Sequence, residues 1–171
     1  MGDVIVNTSP LQYLYQLGQL DLFTKLFGRI IIPDAVVEEL AAGRRLGISL
    51  PAPETFNWVD LRNPASPVGA LLAWDLGAGE SAVLSLALEH PGSWVVLDDK
   101  LARQAAIHLN IPLLGTAGML MRAKQAGHLQ AVGPVLDQLA NLGFRLTTQT
   151  VRNILELAGE NGSTALPRSN P

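Results

Sequence analysis

Short apolar segments that end in a polar turn and continue as a helical pattern limit the fold of this chain more than any other feature. The clearest is Trp94-Val95-Val96-Leu97, which is rich in β-branched residues and is typical of a buried strand. Asp98 and Asp99 follow at once, and a helical pattern begins at Leu101. Such an acidic turn is the carboxyl-end corner of a βα unit, where open α/β sheets bind ligands. One aspartate can cap the helix, and the second needs another explanation.

The same arrangement recurs along the chain. Val4-Ile5-Val6 runs into the cap-forming sequence Asn7-Thr8-Ser9-Pro10, and the segment 29–32 runs into Pro33-Asp34 and a helix. The segment 110–116 has the composition of another buried strand, and it ends in a hydroxyl at Thr116. The alternation of strands and helices predicts an α/β fold with parallel strands.

Length and composition limit the organisation. The 171 residues are 48% hydrophobic and 16% charged, so one domain with a sizeable core is expected. The absence of cysteine excludes disulfides and thiolate metal sites. No signal peptide or stretch of about 20 apolar residues is present, which predicts a cytoplasmic protein without a membrane segment. The formal net charge of −3 offers no broad basic surface for nucleic acid.

Three regions have a different character. The glycine- and proline-rich segment 41–67 is interpreted as a surface connection with one edge strand, 57–61; the alternative is a lid over a site. Helical patterns over 132–142 and 147–158 predict a side layer of C-terminal helices. The single domain is thus expected to span 1–158, with its core over about 3–126, and the polar segment 159–171 is expected to be a disordered tail.

Parallel strands bring their carboxyl ends to one edge of the sheet, and several polar groups of this chain would meet there. Carboxylates held close together repel each other, and a divalent cation between them relieves that repulsion. Oxygen ligands favour Mg²⁺ or Mn²⁺, and such cations activate water for phosphodiester cleavage. Each residue also has a structural interpretation, such as a helix cap for Asn7 or a first-turn charge for Glu80. The groups expected at this edge are Asn7, Thr8, Ser9, Glu39, Glu80, Asp98, Asp99 and Thr116.

Four motifs in this order resemble those of the PIN-domain family. They are the sequences 4–11 (VIVNTSPL), 32–40 (IPDAVVEEL), 77–83 (GAGESAV) and 96–100 (VLDDK), and Gly115-Thr116 with the following helix is similar to the last sheet strand of the family. The resemblance covers about residues 3–126. The two C-terminal helices are similar to those of a branch of VapC-like predicted nucleic-acid-binding proteins.

The resemblance implies a three-layer α/β/α sandwich with a central parallel sheet and a Mg²⁺ or Mn²⁺ centre. By position, Glu39, Glu80 and Asp99 correspond to metal-coordinating carboxylates, with Asp98 as an additional neighbour. The family usually has aspartate where this chain has Asn7, which keeps a ligand oxygen but loses its charge. The residues that would contact metal-bound water or RNA are Thr8, Ser9, Thr116 and Arg103.

Three functional hypotheses follow. The first is a Mg²⁺/Mn²⁺-dependent ribonuclease that cleaves single-stranded or structured RNA with metal-activated water. The resemblance adds a toxin–antitoxin role, a small antitoxin partner and a homodimer. The second is a weakly active or inactive module that binds RNA or protein, which the neutral Asn7 favours. The third is a receiver-type phosphotransfer domain, which needs its acidic pair after the first strand, where Asn7-Thr8 stands instead.

Overall fold

A computed structural model describes residues 2–66 and 68–160 of the chain. The first half contains strands β1 (Val4–Val6), β2 (Ile30–Ile32) and β3 (Val59–Leu61), and helices α1 (Thr8–Gln16), α2 (Leu22–Phe27) and α3 (Asp34–Arg45). The second half contains strands β4 (Trp94–Val96) and β5 (Leu113–Leu114). Its helices are α4 (Ala78–Glu89), α5 (Lys100–His108), α6 (Thr116–Gln125), α7 (Gly133–Asn141) and α8 (Thr148–Leu157). Short 3₁₀ turns lie at Pro53–Thr55 and Gly69–Leu71.

The five strands form one parallel sheet in the order β3-β2-β1-β4-β5. Ile5 at the centre is in register with Ile31 on one side and with Val95 on the other. Helices cover both faces of the sheet, so the predicted three-layer α/β/α sandwich is confirmed. All three residues of β1 and of β2 are buried, because these inner strands are covered on both faces and paired on both sides. The edge strand β3 has no fully buried residue, and its Leu61 is exposed.

The order of the strands reverses at β1. The chain first builds outward from β1 to β2 and β3, and then returns through 62–77 and α4 to place β4 on the other side of β1. Asn7 follows β1 and its backbone N–H bonds to the carbonyl of Val96 in β4, 3.1 Å away. The carboxyl ends of β1 and β4 therefore form a topological switch point, which is where such sheets open a crevice for ligands.

Several predicted elements are confirmed with shorter bounds. The predicted edge strand within 57–61 is β3, which lies at the end of the sheet. The predicted strand over 110–116 is reduced to two residues, because Asn110 has a left-handed φ of 55° and ends α5. The N–H of Ile111 then bonds back to the carbonyl of Ala106 at 2.8 Å, as in a helix C-terminal motif. The segment 41–67 begins inside α3, which extends to Arg45.

The C-terminal helices lie where the two helical patterns predict them. Thr147 caps α8, since its hydroxyl accepts the N–H of Thr150 at 3.1 Å. Most of the segment 159–171, predicted as a disordered tail, lies outside the described residues. Glu160, which is described, accepts the N–H groups of Val132 and Gly133 at 2.7 and 2.8 Å and pairs with Lys124. In the described residues no helix has the length and apolar character needed to cross a bilayer.

Candidate active site

The centre of the candidate site is Glu39, in the second turn of α3. Its carboxylate accepts a hydrogen bond from the backbone N–H of Gly79 at 2.8 Å and another from the hydroxyl of Thr8. Pro33 ends β2 and α3 starts directly after it, so the helix carries Glu39 towards the amino terminus of α4. Thr8 opens α1 immediately after β1. Three separate elements therefore hold one carboxylate in place.

Gly79 allows these groups to approach each other. A Cβ atom at this position would lie 2.7 and 2.8 Å from the two carboxylate oxygens of Glu39 and 2.9 Å from Oδ1 of Asn7. Such contacts are closer than carbon and oxygen tolerate, so a side chain here would force the site apart. The three oxygens are thus gathered within 2.9 Å of a single point beside the backbone of α4.

Asn7 joins this group to Glu80. Its Nδ2 donates to Oε1 of Glu80 at 3.1 Å, and because a carboxylate only accepts, this bond determines which way the amide faces. Oδ1 of Asn7 then faces Glu39. Within the described residues this oxygen is fully buried and accepts no hydrogen bond. We call Asn7, Thr8, Glu39, Gly79 and Glu80 the acidic corner.

An unsatisfied buried oxygen beside a carboxylate is electrostatically unfavourable, and either a hydrogen-bond donor or a cation at this position would relieve it. The donors of the acidic corner are all oxygens: two carboxylates, an amide and a hydroxyl. Mg²⁺ and Mn²⁺ prefer this set, so the residues fit such a cation. Among residues 2–66 and 68–160, however, no three histidine, aspartate or glutamate side chains are grouped to hold a metal. The corner offers only two carboxylates because asparagine occupies position 7.

Asp98 and Asp99 are both engaged by the helices that follow β4 and β5. Oδ1 of Asp99 accepts the N–H of Ala102 at 2.9 Å and so caps α5, while the side chain remains exposed. Asp98 accepts two bonds from Thr116, from its N–H at 2.8 Å and from its hydroxyl at 2.6 Å. Asp98 therefore links the end of β4 to the start of α6, and Asp99 caps the start of α5.

Burial raises the pKa of Asp98, and the hydrogen bonds from Thr116 and the charge of Arg103 offset that rise only in part. Burial, together with the negative charge of Asp98, also raises the pKa of Tyr13 in α1. A partly desolvated carboxylate thus lies at the start of α6, close enough to α1 for its charge to act on Tyr13. Its hydrogen bonds hold the start of α6 to the end of β4.

Arg103 lies close to Asp98. Its Nη1 donates to the carbonyl of Leu97 at 2.9 Å, so the side chain folds back over the end of β4. A Cβ at Gly115 would lie 2.8 Å from that nitrogen and 3.0 Å from Oδ1 of Asp98, so glycine provides the space for this arrangement. The guanidinium carries further N–H donors that can bind an anion.

The residues predicted for the site fall into two groups. Asn7, Thr8, Glu39 and Glu80 meet in the acidic corner. Asp98, Thr116 and Arg103 form a second group at the ends of β4 and β5, and Asp99 caps the adjacent helix. Ser9 is half-buried in the first turn of α1.

Sequence reasoning missed two glycines. In the sequence, Gly79 is only part of the motif 77–83, whereas in the structure it donates its N–H to Glu39. Gly115 was assigned only to a strand end. The available signal was a glycine placed directly beside a predicted site residue, since such glycines often mark a close backbone approach.

A family model described as DUF3368: PIN domain matches residues 3–160. The chain belongs to the PIN-domain family. No curated protein and no solved structure matches the chain. The predicted family is therefore confirmed, and the match extends beyond the predicted core through α7 and α8. Membership in this family gives the chain a nuclease fold with nucleic acid as its expected ligand. PIN domains generally use divalent metals, in agreement with the oxygen donors of the acidic corner.

Proposed function

We propose that this PIN domain is a Mg²⁺- or Mn²⁺-dependent ribonuclease that hydrolyses phosphodiester bonds of single-stranded or structured RNA. The observation that carries the proposal is the buried, unsatisfied Oδ1 of Asn7 facing Glu39 at the topological switch point. When bound, the cation activates water and stabilises negative charge on the phosphate. Glu39, Glu80 and Oδ1 of Asn7 would hold it.

The other polar residues of this edge have roles that follow from their contacts. Thr8 and the N–H of Gly79 orient Glu39, so that its carboxylate does not need to reorganise when the cation arrives. Asp99 uses one oxygen as a cap, which leaves the other to accept a hydrogen bond from a metal-bound water. The guanidinium of Arg103 would contact an RNA phosphate, and the half-buried Ser9 would lie beside the bound strand. Thr116 is fully buried and gives its hydroxyl to Asp98, so it would act only by holding that carboxylate, not by the predicted contact with RNA or metal-bound water.

The test compares two adjacent glutamates. Glu39→Gln should lower the rate of single-stranded RNA cleavage in Mn²⁺ about 100-fold or more, because it removes a charge from the proposed centre. Glu38→Gln, the matched control, changes an exposed neighbour on the same helix and should retain full activity. Cleavage is measured on a labelled oligoribonucleotide, with EDTA as the metal-free condition.

Asp99→Asn provides a second test of the proposed function. Asparagine caps helices as well as aspartate does, so α5 should keep its stability while the charge is lost. We expect a similar loss of cleavage with an unchanged melting temperature. Cleavage in EDTA, or full activity of both Glu39→Gln and Asp99→Asn, would contradict the proposed chemistry.

A second candidate function is a catalytically weak or inactive PIN-like module that binds RNA or protein. The neutral Asn7 favours it, because two carboxylates bind a divalent cation more weakly than three. Isothermal titration with Mn²⁺ separates the two functions. Binding at or below millimolar Mn²⁺ supports the nuclease, and RNA binding without Mn²⁺ binding supports the module.

The toxin role, the antitoxin partner, the homodimer and the cytoplasmic location stay predictions. Exposed apolar side chains such as Leu46 and Leu72 would suit contact with a second protein. Analytical ultracentrifugation of the purified chain tests the homodimer. Growth arrest on expression of the chain, relieved by the product of an adjacent small gene, tests the toxin role.

A further inference from the structure

Every carboxylate of the acidic corner already has a donor from the protein. Glu39 receives the N–H of Gly79 and the hydroxyl of Thr8, and Glu80 receives Nδ2 of Asn7. These bonds replace part of the stabilisation that a cation between the carboxylates would provide. The charge that remains is two units, spread over α3 and α4.

The amide of Asn7 has two ends with different consequences. Nδ2 compensates Glu80, whereas Oδ1 is buried beside Glu39 without a donor. An aspartate of the same shape would keep an oxygen facing Glu39 but would replace the donor with a second acceptor. Three carboxylates would then converge without a proton or a cation between them, and such repulsion in a buried position is strongly unfavourable.

We infer that Asn7 is a positioning residue that keeps the acidic corner folded when no cation is bound, and that it lowers cation affinity in return. This inference rests on the cation site of the proposed function. It assigns to the asparagine a role that is distinct from catalysis: the protein does not need a bound metal to stay folded.

The test is the melting temperature of wild type and Asn7→Asp at neutral pH, in EDTA and in millimolar MnCl₂. In EDTA, we expect the variant to melt roughly 5–10 °C below wild type, because it buries an uncompensated charge. Mn²⁺ should recover most of this loss in the variant and should shift wild type much less. By titration, the variant should bind Mn²⁺ at least about 10-fold more tightly.

A double variant tests whether the hydrogen bond is the cause. Asn7→Asp combined with Glu80→Gln exchanges the amide and the carboxylate between the two positions. The amide introduced on α4 can then donate to the carboxylate introduced after β1, and the total charge is that of wild type. We expect the melting temperature of the double variant in EDTA to return to within a few degrees of wild type. A variant that only disturbed packing would not be rescued in this way.

Asn63→Asp is the matched control. Nδ2 of Asn63 also donates to a carboxylate, Asp34, at 2.6 Å, but both side chains are exposed. Water and salt screen the new repulsion there, so the melting temperature should change by no more than a few degrees. Addition of Mn²⁺ should raise the melting temperature of Asn63→Asp much less than that of Asn7→Asp.

An Asn7→Asp protein that melts like wild type in EDTA would overturn the inference. So would a double variant that is not rescued, or an Asn7→Asp protein that fails to fold in Mn²⁺. The RNA assay is separate. If wild type cleaves no RNA but the melting temperatures follow the expected pattern, the nuclease proposal is removed and the role of Asn7 is kept. If wild type cleaves RNA but Asn7→Asp melts like wild type in EDTA, the nuclease proposal is kept and the role of Asn7 is removed.

Discussion

Gly79 lies at a close approach inside the acidic corner, where its missing side chain leaves room for three oxygen atoms. Sequence alone indicates a turn here, since Gly-Ala-Gly precedes a helix, but it does not show what lies opposite the turn. That information depends on α3 approaching α4, which brings Glu39 to residue 79 across 40 positions of sequence. A local pattern carries no record of such a contact.

Gly79→Ala should therefore disturb both stability and metal binding. The new methyl group would contact both oxygens of Glu39 and Oδ1 of Asn7, so we expect a loss of about 1–3 kcal/mol in the free energy of unfolding. Urea denaturation measures it. Gly69→Ala is the control, because a Cβ there meets nothing within 4 Å; an equal loss in both variants would contradict the crowding at Gly79.

The raised pKa of Asp98 predicts how the free energy of unfolding depends on pH. Its pKa is raised in the folded protein, mainly by burial, so protonation favours the folded state. The stability that this group contributes is fully present below the pKa of the unfolded chain and is lost as pH rises through the folded pKa. Asp98→Asn keeps an acceptor for Thr116 without the charge, and it should remove this part of the pH dependence.

The measurement is chemical denaturation of wild type and Asp98→Asn from the acidic range to neutral pH. The difference in unfolding free energy should change in favour of the variant as pH rises. Asp137→Asn, on α7, serves as a control for charge removal outside the site. A difference between wild type and Asp98→Asn that is constant with pH would show that burial of this carboxylate has no linkage to folding.

At the scale of elements, the strands could be predicted because apolar, β-branched runs are bounded by residues that cap helices. The end of α5 was missed for a physical reason. Asn110 continues the chain in a left-handed conformation that a glycine usually adopts, and the apolar Ile111 behind it belongs to the helix terminus rather than to a strand. Composition does not distinguish these two uses of an isoleucine.

The site was predictable only to the extent that parallel strands share an edge. The pairing of Asp98 with Thr116 needs β4 beside β5, and that of Asn7 with Glu80 needs α4 beside β1. The sequence also could not distinguish the role of Asp98 from that of Asp99. Both carboxylates serve helix ends, and only the strand order shows which helix each one meets.

Glu160 caps the start of α7, because its carboxylate accepts the N–H groups of Val132 and Gly133. Burial acts to raise the pKa of this carboxylate, but the bonds from Lys124, Val132 and Gly133 outweigh it and lower the pKa. Glu160→Ala should cost about 1 kcal/mol, as for the loss of a helix cap, and lower the melting temperature by roughly 2–4 °C.

The matched control for this contact is Glu156→Ala, an exposed position on α8. Thermal unfolding followed by circular dichroism compares the two. Because the pKa of Glu160 is lowered, its contribution is present above the unfolded pKa and is lost as pH falls through the folded pKa. A Glu160→Ala deficit that persists unchanged in strong acid would contradict this.

At the scale of the whole molecule, the family match extends from residue 3 to 160 and so includes the contacts of α7 and Glu160. The parallel sheet explains why the fold could be predicted with few errors: it needs apolar strands, capped helices and short connections, and each leaves a local trace. The chemistry needs particular atoms from distant segments to meet, and no local sequence pattern indicates such a meeting. This is why the family could be predicted from the sequence, whereas the two separate groups at the sheet edge could not.

The reversal of strand order also has a consequence during protein synthesis. Asn7 and Glu80 are separated by 73 positions, and the helix that carries Glu80 is made only after β3. A ribosome that has released the first three strands has therefore not yet supplied one wall of the corner. A product that ends before Glu80 lacks the partner of Asn7, and its remaining residues cannot complete the acidic corner.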